Sequence, residues 1–219
     1  MRTVKVVMLG DSSCGKTAIL ERFLHDAFKE TQSTIGIDFV IKELRRADGT
    51  VVRLQVWDTA GQERFMQLAP SYIRGACVAI IVFDLANEKS FSSLRRWLNF
   101  VYNERGDTTR VALVGNKSDV GKERVISPKA VEELLGSHLD IPYYETSALT
   151  GENVVELFDT VVNLPLEENL IDDSEEDTLT ARKISFGGIN ERKRSRTVRL
   201  SVSSVKYEPV WNRCFCSSG

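Results

Sequence analysis

Residues Gly10 to Thr17 read G-D-S-S-C-G-K-T and meet the pattern G-x-x-x-x-G-K-[ST]. Val4 to Leu9 before them form a short apolar run suited to a strand, and Ala18 to Leu24 after them carry apolar residues at helical spacing. A tight loop that feeds a helix N-terminus turns several backbone N–H groups toward one point, which is what a polyphosphate needs. The candidate donors run from Ser12, Ser13, Cys14 and Gly15 through Lys16, Thr17 and Ala18. Gly10 and Gly15 allow the turn and the close approach of phosphate oxygens. Lys16 is placed to neutralise the β- and γ-phosphates, and the Thr17 hydroxyl to bind Mg²⁺. The loop fixes a strand–loop–helix unit and a nucleoside triphosphate, without saying which one.

The rest of the chain alternates in the same way. Asp38 to Leu44 and Val51 to Trp57 are β-rich and flank Ala47-Asp48-Gly49-Thr50, a hairpin signal. A helix is expected around Leu68 to Arg74, then a strand from Cys77 to Asp84 whose continuous apolar character requires cover on both faces. Ser90 to Tyr102 reads as one amphipathic helix, with Phe91, Leu94, Leu98 and Val101 on one side. Val111 to Val114 is a further buried strand, and Ser127-Pro128 starts a helix with serine as N-cap. A short strand at Pro142 to Tyr144 and a closing helix from Asn153 to Leu164 complete the pattern. The expected fold is α/β: a six-stranded, mostly parallel sheet with one antiparallel strand and helices on both faces. Polar loops beyond the carboxyl ends of the strands should carry the function.

Composition bounds the rest. The 219 residues suit one domain over residues 1–164 and an appendage over 165–219, which turns acidic at 167–177 and basic at 182–199. That appendage lacks the apolar content to order itself and is expected to be disordered. A net charge of −2 gives no reason to expect a nucleic-acid partner. No apolar run reaches the roughly 20 residues of a membrane-spanning helix, and Met1-Arg2-Thr3 leads into the first strand without a signal peptide. Four cysteines, one of them in the phosphate loop, suggest a reducing compartment rather than a disulfide framework. His25 and His138 stand far apart and without cysteine neighbours, so zinc is not expected.

Two further loops choose the nucleotide and the reaction. Asn116-Lys117-Ser118-Asp119 follows a buried strand. Guanine carries an N1–H and an exocyclic amine on one edge, and a single buried carboxylate at Asp119 would accept from both, whereas adenine offers no such pair. Asn116 and the stem of Lys117 would hold the ring, and Ala148, within Ser147-Ala148-Leu149, can give a backbone N–H to the guanine oxygen. Asp58-Thr59-Ala60-Gly61-Gln62 supplies the rest. Asp58 can hold a water on Mg²⁺, Gly61 can offer its N–H to a γ-phosphate, and Gln62 can orient the attacking water. Thr34 can close the metal shell from the opposite loop. Both loops are polar, suited to ordering on the triphosphate and release on hydrolysis.

With these motifs in place, residues 4–164 resemble the Ras-like small GTPases and, within them, the Rab family. The resemblance rests on S-T-I-G-I-D-F (Ser33 to Phe39), W-D-T-A-G-Q-E-R-F (Trp57 to Phe65) and Y-I-R-G-A (Tyr72 to Ala76). V-R-L-Q-V-W-D-T-A-G-Q-E-R-F together with A-P-S-Y-I-R looks most like the Golgi-associated Rab-six subgroup. The resemblance implies a P-loop GTPase domain that cycles between GTP and GDP with Mg²⁺, with Gln62, Lys16 and Thr34 in the catalytic roles. It implies a guanine-nucleotide exchange factor, a GTPase-activating protein and Rab effectors as partners, the effectors meeting Ile35, Phe39, Trp57 and Tyr72. Phe28 would reach the guanine face, with Leu149 beside it. Cys214 and Cys216 resemble a Rab double-prenyl site, which implies a Rab escort protein, geranylgeranyl transferase, a GDP-dissociation inhibitor and a membrane anchor. The subgroup would place the protein on the cytoplasmic face of Golgi membranes, cycling with the cytosol, in vesicle traffic.

The sequence also departs from that family. The loop from Phe28 to Thr34 is a residue short and lacks its usual tyrosine; Ser13 stands where glycine is more usual; Leu149 replaces a lysine; and Ser217-Ser218-Gly219 follow the cysteine pair. If Ser13 needs positive φ, the cost is about 1 kcal/mol. These departures motivate a competing reading, a GTP-binding scaffold with little hydrolysis. A P-loop kinase would leave N-K-S-D unexplained and would need an arginine-rich lid that the chain does not contain.

Overall fold

The computed structural model describes residues 2–29, 34, 37–46, 48–59, 69–136 and 140–164. These form six strands, β1 (Arg2–Leu9), β2 (Ile37–Arg45), β3 (Val51–Thr59), β4 (Val78–Asp84), β5 (Arg110–Asn116) and β6 (Tyr143–Thr146). The helices are α1 (Lys16–His25), α2 (Ala69–Ile73), α3 (Glu88–Ser92), α4 (Leu94–Arg105), α5 (Pro128–Leu135) and α6 (Val154–Asn163). The sheet order is β2-β3-β1-β4-β5-β6, with β2 antiparallel to β3 and every other pair parallel. This is the mixed six-stranded sheet expected from the alternation of strand and helix patterns.

Burial explains the pattern strand by strand. All seven residues of β4 are buried, as its unbroken apolar run requires of a strand covered on both faces. On one face Val4, Val6, Met8, Leu54, Val56 and Val82 meet α1 and α6, where Phe23 and Phe158 stack with ring centres 3.8 Å apart. On the other, Val7, Leu9, Ile81, Phe83 and Leu113 meet α2, α4 and α5 through Ile73, Trp97, Val101 and Val131. Strand β3 alternates, with Val52, Leu54 and Val56 inward, as a strand near the sheet edge does. At the hairpin, the Asp48 carboxylate accepts from the Thr50 N–H at 2.8 Å and the Thr50 hydroxyl at 2.6 Å, while Gly49 takes φ +85°.

The single helix expected over Ser90 to Tyr102 is in fact two. Asn87 caps α3 by accepting from the N–H groups of Lys89 and Ser90, which moves the start upstream. The Ser90 hydroxyl donates back to the Asn87 carbonyl at 2.8 Å and that of Ser93 to the Lys89 carbonyl at 3.1 Å. Short hydroxyl side chains compete in this way with the helical ladder, and the axis breaks at Ser93. Strands β5 and β6 also run further than expected, through Asn116 and Thr146. Both therefore deliver their polar residues directly from the sheet.

Since β1 pairs with β3 on one side and β4 on the other, the chain reverses its winding there. The carboxyl end of β1 is therefore the switch point at which α/β sheets of this kind carry their ligand crevice.

Candidate functional site

The loop between β1 and α1 curls around the ammonium group of Lys16. That side chain is buried, and its Nζ donates to the carbonyls of Gly10 and Asp11, each at 2.9 Å. Gly15 precedes the helix at φ +95°, and no side chain caps the N-terminus of α1 among the described residues. The first-turn N–H groups and a fixed cation therefore face the same crevice, a ready anion site. Gly15 has a second duty. A Cβ there would lie 2.1 Å from Nδ2 of Asn116, whose amide donates to the Cys14 carbonyl at 2.9 Å and ties the loop to β5. Cys14 is buried beneath the loop, and burial pushes its thiol above the ordinary range. Ser12 and Ser13 are exposed on its outer side and Ala18 is buried in the first helical turn.

Ser13 adopts φ +64°, a left-handed conformation that costs an L residue about 1–2 kcal/mol. Its side chain is exposed, so glycine there removes strain without losing packing. Glycine's extra freedom in the unfolded chain offsets part of the gain. Ser13→Gly is expected to stabilise the protein by about 0.5–1 kcal/mol, read as a higher urea midpoint at unchanged slope.

Beside the loop, three oxygens from three separate stretches converge. The Thr17 hydroxyl donates to Oδ2 of Asp58 at 2.6 Å, the Thr34 hydroxyl reaches the same oxygen at 3.2 Å, and the two hydroxyls lie 2.8 Å apart. Oδ1 of Asp58 is buried and has no hydrogen-bond partner. Burial pushes the Asp58 carboxyl above the ordinary range, against the opposing pull of the Thr17 hydrogen bond and Lys16. A buried carboxylate with one orphaned oxygen, flanked by two hydroxyls, fits a hard divalent cation that takes oxygen ligands.

A third cluster closes the far end of the crevice. Asn116 Oδ1 accepts from the Thr146 hydroxyl at 3.2 Å and the Ala148 N–H at 3.3 Å. The Ser147 hydroxyl donates to Asp119 at 2.5 Å. One expectation needs correcting: Asp119 is exposed, not buried. It sits in a 3₁₀ turn at the rim, where a ligand rather than the fold would desolvate it. Lys117 takes φ +68°, and its ammonium pairs with the buried Asp84 at 2.6 Å. Leu149 is 51% exposed and Phe28, after α1, is 43% exposed.

Other residues that carry these loops left no pattern in the sequence. Asp84 ends the apolar run of β4, and a carboxylate in that place was the one available hint. Trp97 and Arg96 of α4 both donate to the Asp11 carboxylate, at 2.9 and 3.0 Å, and so brace the phosphate loop. Arg124 grips Glu145 with two bonds of 2.6 Å, and Tyr143 adds a third at 2.9 Å. Burial and then Glu145 itself push the Tyr143 hydroxyl well up. Burial works against ionising Glu145, yet the bonds from Arg124 and Tyr143 outweigh it and hold this carboxyl below its ordinary range. A carboxyl lowered in the folded state adds stability above its unfolded pKa of about 4.3, and that contribution is lost as pH falls through the folded value. Glu145→Gln is therefore expected to cost about 1–3 kcal/mol at pH 7 in urea titrations, with the gap to the parent protein closing on acidification.

The three aromatic residues of the expected contact surface do not stand together as equals. Phe39 and Trp57 pair across β2 and β3 with ring centres 5.4 Å apart, and Lys5 lies over the indole at 4.6 Å. Tyr72 is instead buried in the core beneath α2. Ile35, Gly61, Gln62, Cys214 and Cys216, and the whole of 165–219, lie outside the described residues.

A glycine loop closed on a lysine, a cation-ready oxygen cluster and a polar loop pair at the strand ends define a P-loop nucleotide-binding domain. The model of the Ras family matches residues 5–166. The chain belongs to the Ras family of small GTPases, whose members bind guanine nucleotides and act as switches by hydrolysing GTP. Exchange factors, activating proteins and effectors are the general partners of that family.

Proposed function

We propose that this chain is a Rab-type GTPase that converts GTP to GDP on the cytoplasmic face of endomembranes, most fittingly the Golgi, to direct vesicle traffic. The observation that carries the catalytic half is the convergence of Thr17, Thr34 and the half-orphaned Asp58 beside Lys16. In this reading the loop N–H groups from Ser13 to Ala18 and Lys16 hold the β- and γ-phosphates. Thr17, Thr34 and Asp58 would hold Mg²⁺, and the bound ion would neutralise charge on the phosphate oxygens. Gln62 orients a water whose oxygen forms a bond to the γ-phosphorus as the bridge to the β-phosphate breaks, leaving GDP and phosphate. Asn116, Lys117, Asp119, Ser147, Ala148 and Leu149 select guanine, with Phe28 on its face. Thr34 and Gly61 sense the γ-phosphate, so the loops around them report which nucleotide is bound.

The Rab assignment is supported by W-D-T-A-G-Q-E-R-F and Y-I-R-G-A, and by the half-buried ring pair of Phe39 and Trp57 as an effector surface. Ile35 would join Phe39 and Trp57 in meeting effectors in this reading, whereas the buried Tyr72 would support them from below. Cys214 and Cys216 receive geranylgeranyl groups through escort protein and transferase, and a dissociation inhibitor returns the GDP form to the cytosol. The basic run at 182–199 adds attraction to anionic leaflets, about 1 kcal/mol per residue near the surface.

Single-turnover hydrolysis of γ-labelled GTP tests the reading. Slow phosphate release, accelerated by a Rab-directed activating domain and lost in Gln62→Leu, is expected. Phosphate release in neither condition overturns it and favours the scaffold reading, for which the strained Ser13 is the supporting observation. Fluorescent fusions with and without Cys214→Ser and Cys216→Ser test anchor and address together.

A further inference from the structure

Helix α1 does more than present its N-terminus. Arg22 lies six residues beyond Lys16, about 9 Å along the axis at 1.5 Å per residue. Its side chain leaves the helix sideways and reaches the loop that follows β6. Nε donates to the Ala148 carbonyl at 2.9 Å, one terminal nitrogen donates to the Leu149 carbonyl, and the other donates to the Asp26 carbonyl at 3.0 Å. Residues 126 and 127 positions apart are thus held by one planar group. The Arg22 side chain is only 12% exposed, and its ion pair with the fully exposed Asp26 is loose at 3.6 Å. The carbonyls of the loop are its main partners.

The grip fixes more than two carbonyls. The peptide between Ala148 and Leu149 is trans and planar, so its N–H points opposite to its C=O. Drawing the Ala148 carbonyl onto Arg22 therefore turns the Leu149 N–H away from α1. The neighbouring Ala148 N–H is held from another direction, by Asn116 Oδ1 at 3.3 Å. Two successive N–H groups are thereby oriented by side chains rather than by regular secondary structure. A planar fork holds its two carbonyls in one fixed mutual orientation, whereas an ammonium donates from a single freely turning nitrogen, so a lysine is a poor substitute here.

We propose that Arg22 is a positioning residue for base recognition, holding the peptide between Ala148 and Leu149 so that the Leu149 N–H meets the oxygen of guanine. This rests on the guanine-binding reading above, and it links the phosphate helix to the base-reading loop through one side chain. The full chain tests it, through dissociation of a fluorescent GDP and competition by GDP and 6-thio-GDP, whose sulfur accepts hydrogen bonds poorly. Arg22→Met is expected to speed GDP release at least about tenfold, as loss of charge-assisted hydrogen bonds does. It should also narrow the preference for GDP over 6-thio-GDP, while single-turnover hydrolysis at saturating GTP stays within about twofold. Arg22→Lys should fall between the two and carries the test if the methionine variant does not fold. Equal loss for both nucleotides, or no change for either, overturns the proposal. A parent protein that binds neither overturns the guanine-binding reading itself.

Discussion

Asp119→Asn is expected to exchange guanine for xanthine as the preferred base. A carboxylate is an acceptor at both oxygens and suits the paired donors N1–H and the exocyclic amine. Asparagine offers one acceptor and one donor. Its amide N–H₂ would oppose the guanine amine, while xanthine carries a carbonyl in that place and would accept from it. A site built around hydrogen bonds rejects the mismatched partner by roughly 10⁴-fold, because the buried groups are left unpaired. Competition of GTP and XTP against labelled GDP reads the exchange directly. The exposure of Asp119 in this structure sharpens the prediction, since the fold itself does not desolvate the carboxylate. Folding stability should move by no more than about 0.5 kcal/mol, as for other surface changes. Ser147→Ala removes the 2.5 Å bond that orients the carboxylate and should weaken GDP about tenfold without altering base preference. Unchanged GTP competition by Asp119→Asn would leave Asp119 a loop-closing residue only.

Gly10→Ala should produce the largest loss of stability. Gly10 lies at φ +133°, and a Cβ there would fall 2.1 Å from the carbonyl oxygen of Val82 and 3.3 Å from Sγ of Cys14. Val82 belongs to the fully buried β4, paired to β5 and neighbour to β1, so its backbone cannot retreat without opening the sheet. The strained backbone adds to the clash, for a total of about 3–5 kcal/mol. That is a large share of the 5–15 kcal/mol that holds a typical domain folded. Gly49→Ala isolates the conformational component. Gly49 also has positive φ, at +85°, but nothing lies within 4 Å of its would-be Cβ, so its cost should be about 1 kcal/mol. Equal urea midpoints for the two variants would refute the steric account.

The fold was legible because burial has a period. The apolar run of β4 and the alternation in β3 announce strands, and D-G-T announces the hairpin. The phosphate loop was legible because its chemistry is local, eight residues from Gly10 to Thr17. What could not be read arises from contacts between residues distant in sequence. The pairing of Lys117 with Asp84 spans 33 residues, that of Arg22 with Ala148 spans 126, and neither leaves a periodic trace. The break at Ser93 depends on hydroxyls competing with the helix backbone, an outcome that composition alone does not decide. Exposure misled in both directions. Asp119 looked buried because its motif follows a buried strand, yet the strand ends at Asn116. Tyr72 looked available for contact, yet it fills the space between α2 and the sheet.

Asn116 closes on Cys14 across 102 residues, and this separation sets an order of events at the ribosome. The phosphate loop leaves the exit tunnel long before the strand that fastens it. At roughly 5–20 residues per second, the delay is about 5–20 s. Throughout that interval the strand, loop and first helix exist without β5, and Arg22 without the loop it grips. The phosphate loop can be fastened only once β5 has emerged, and the helix behind it gripped only once β6 has followed.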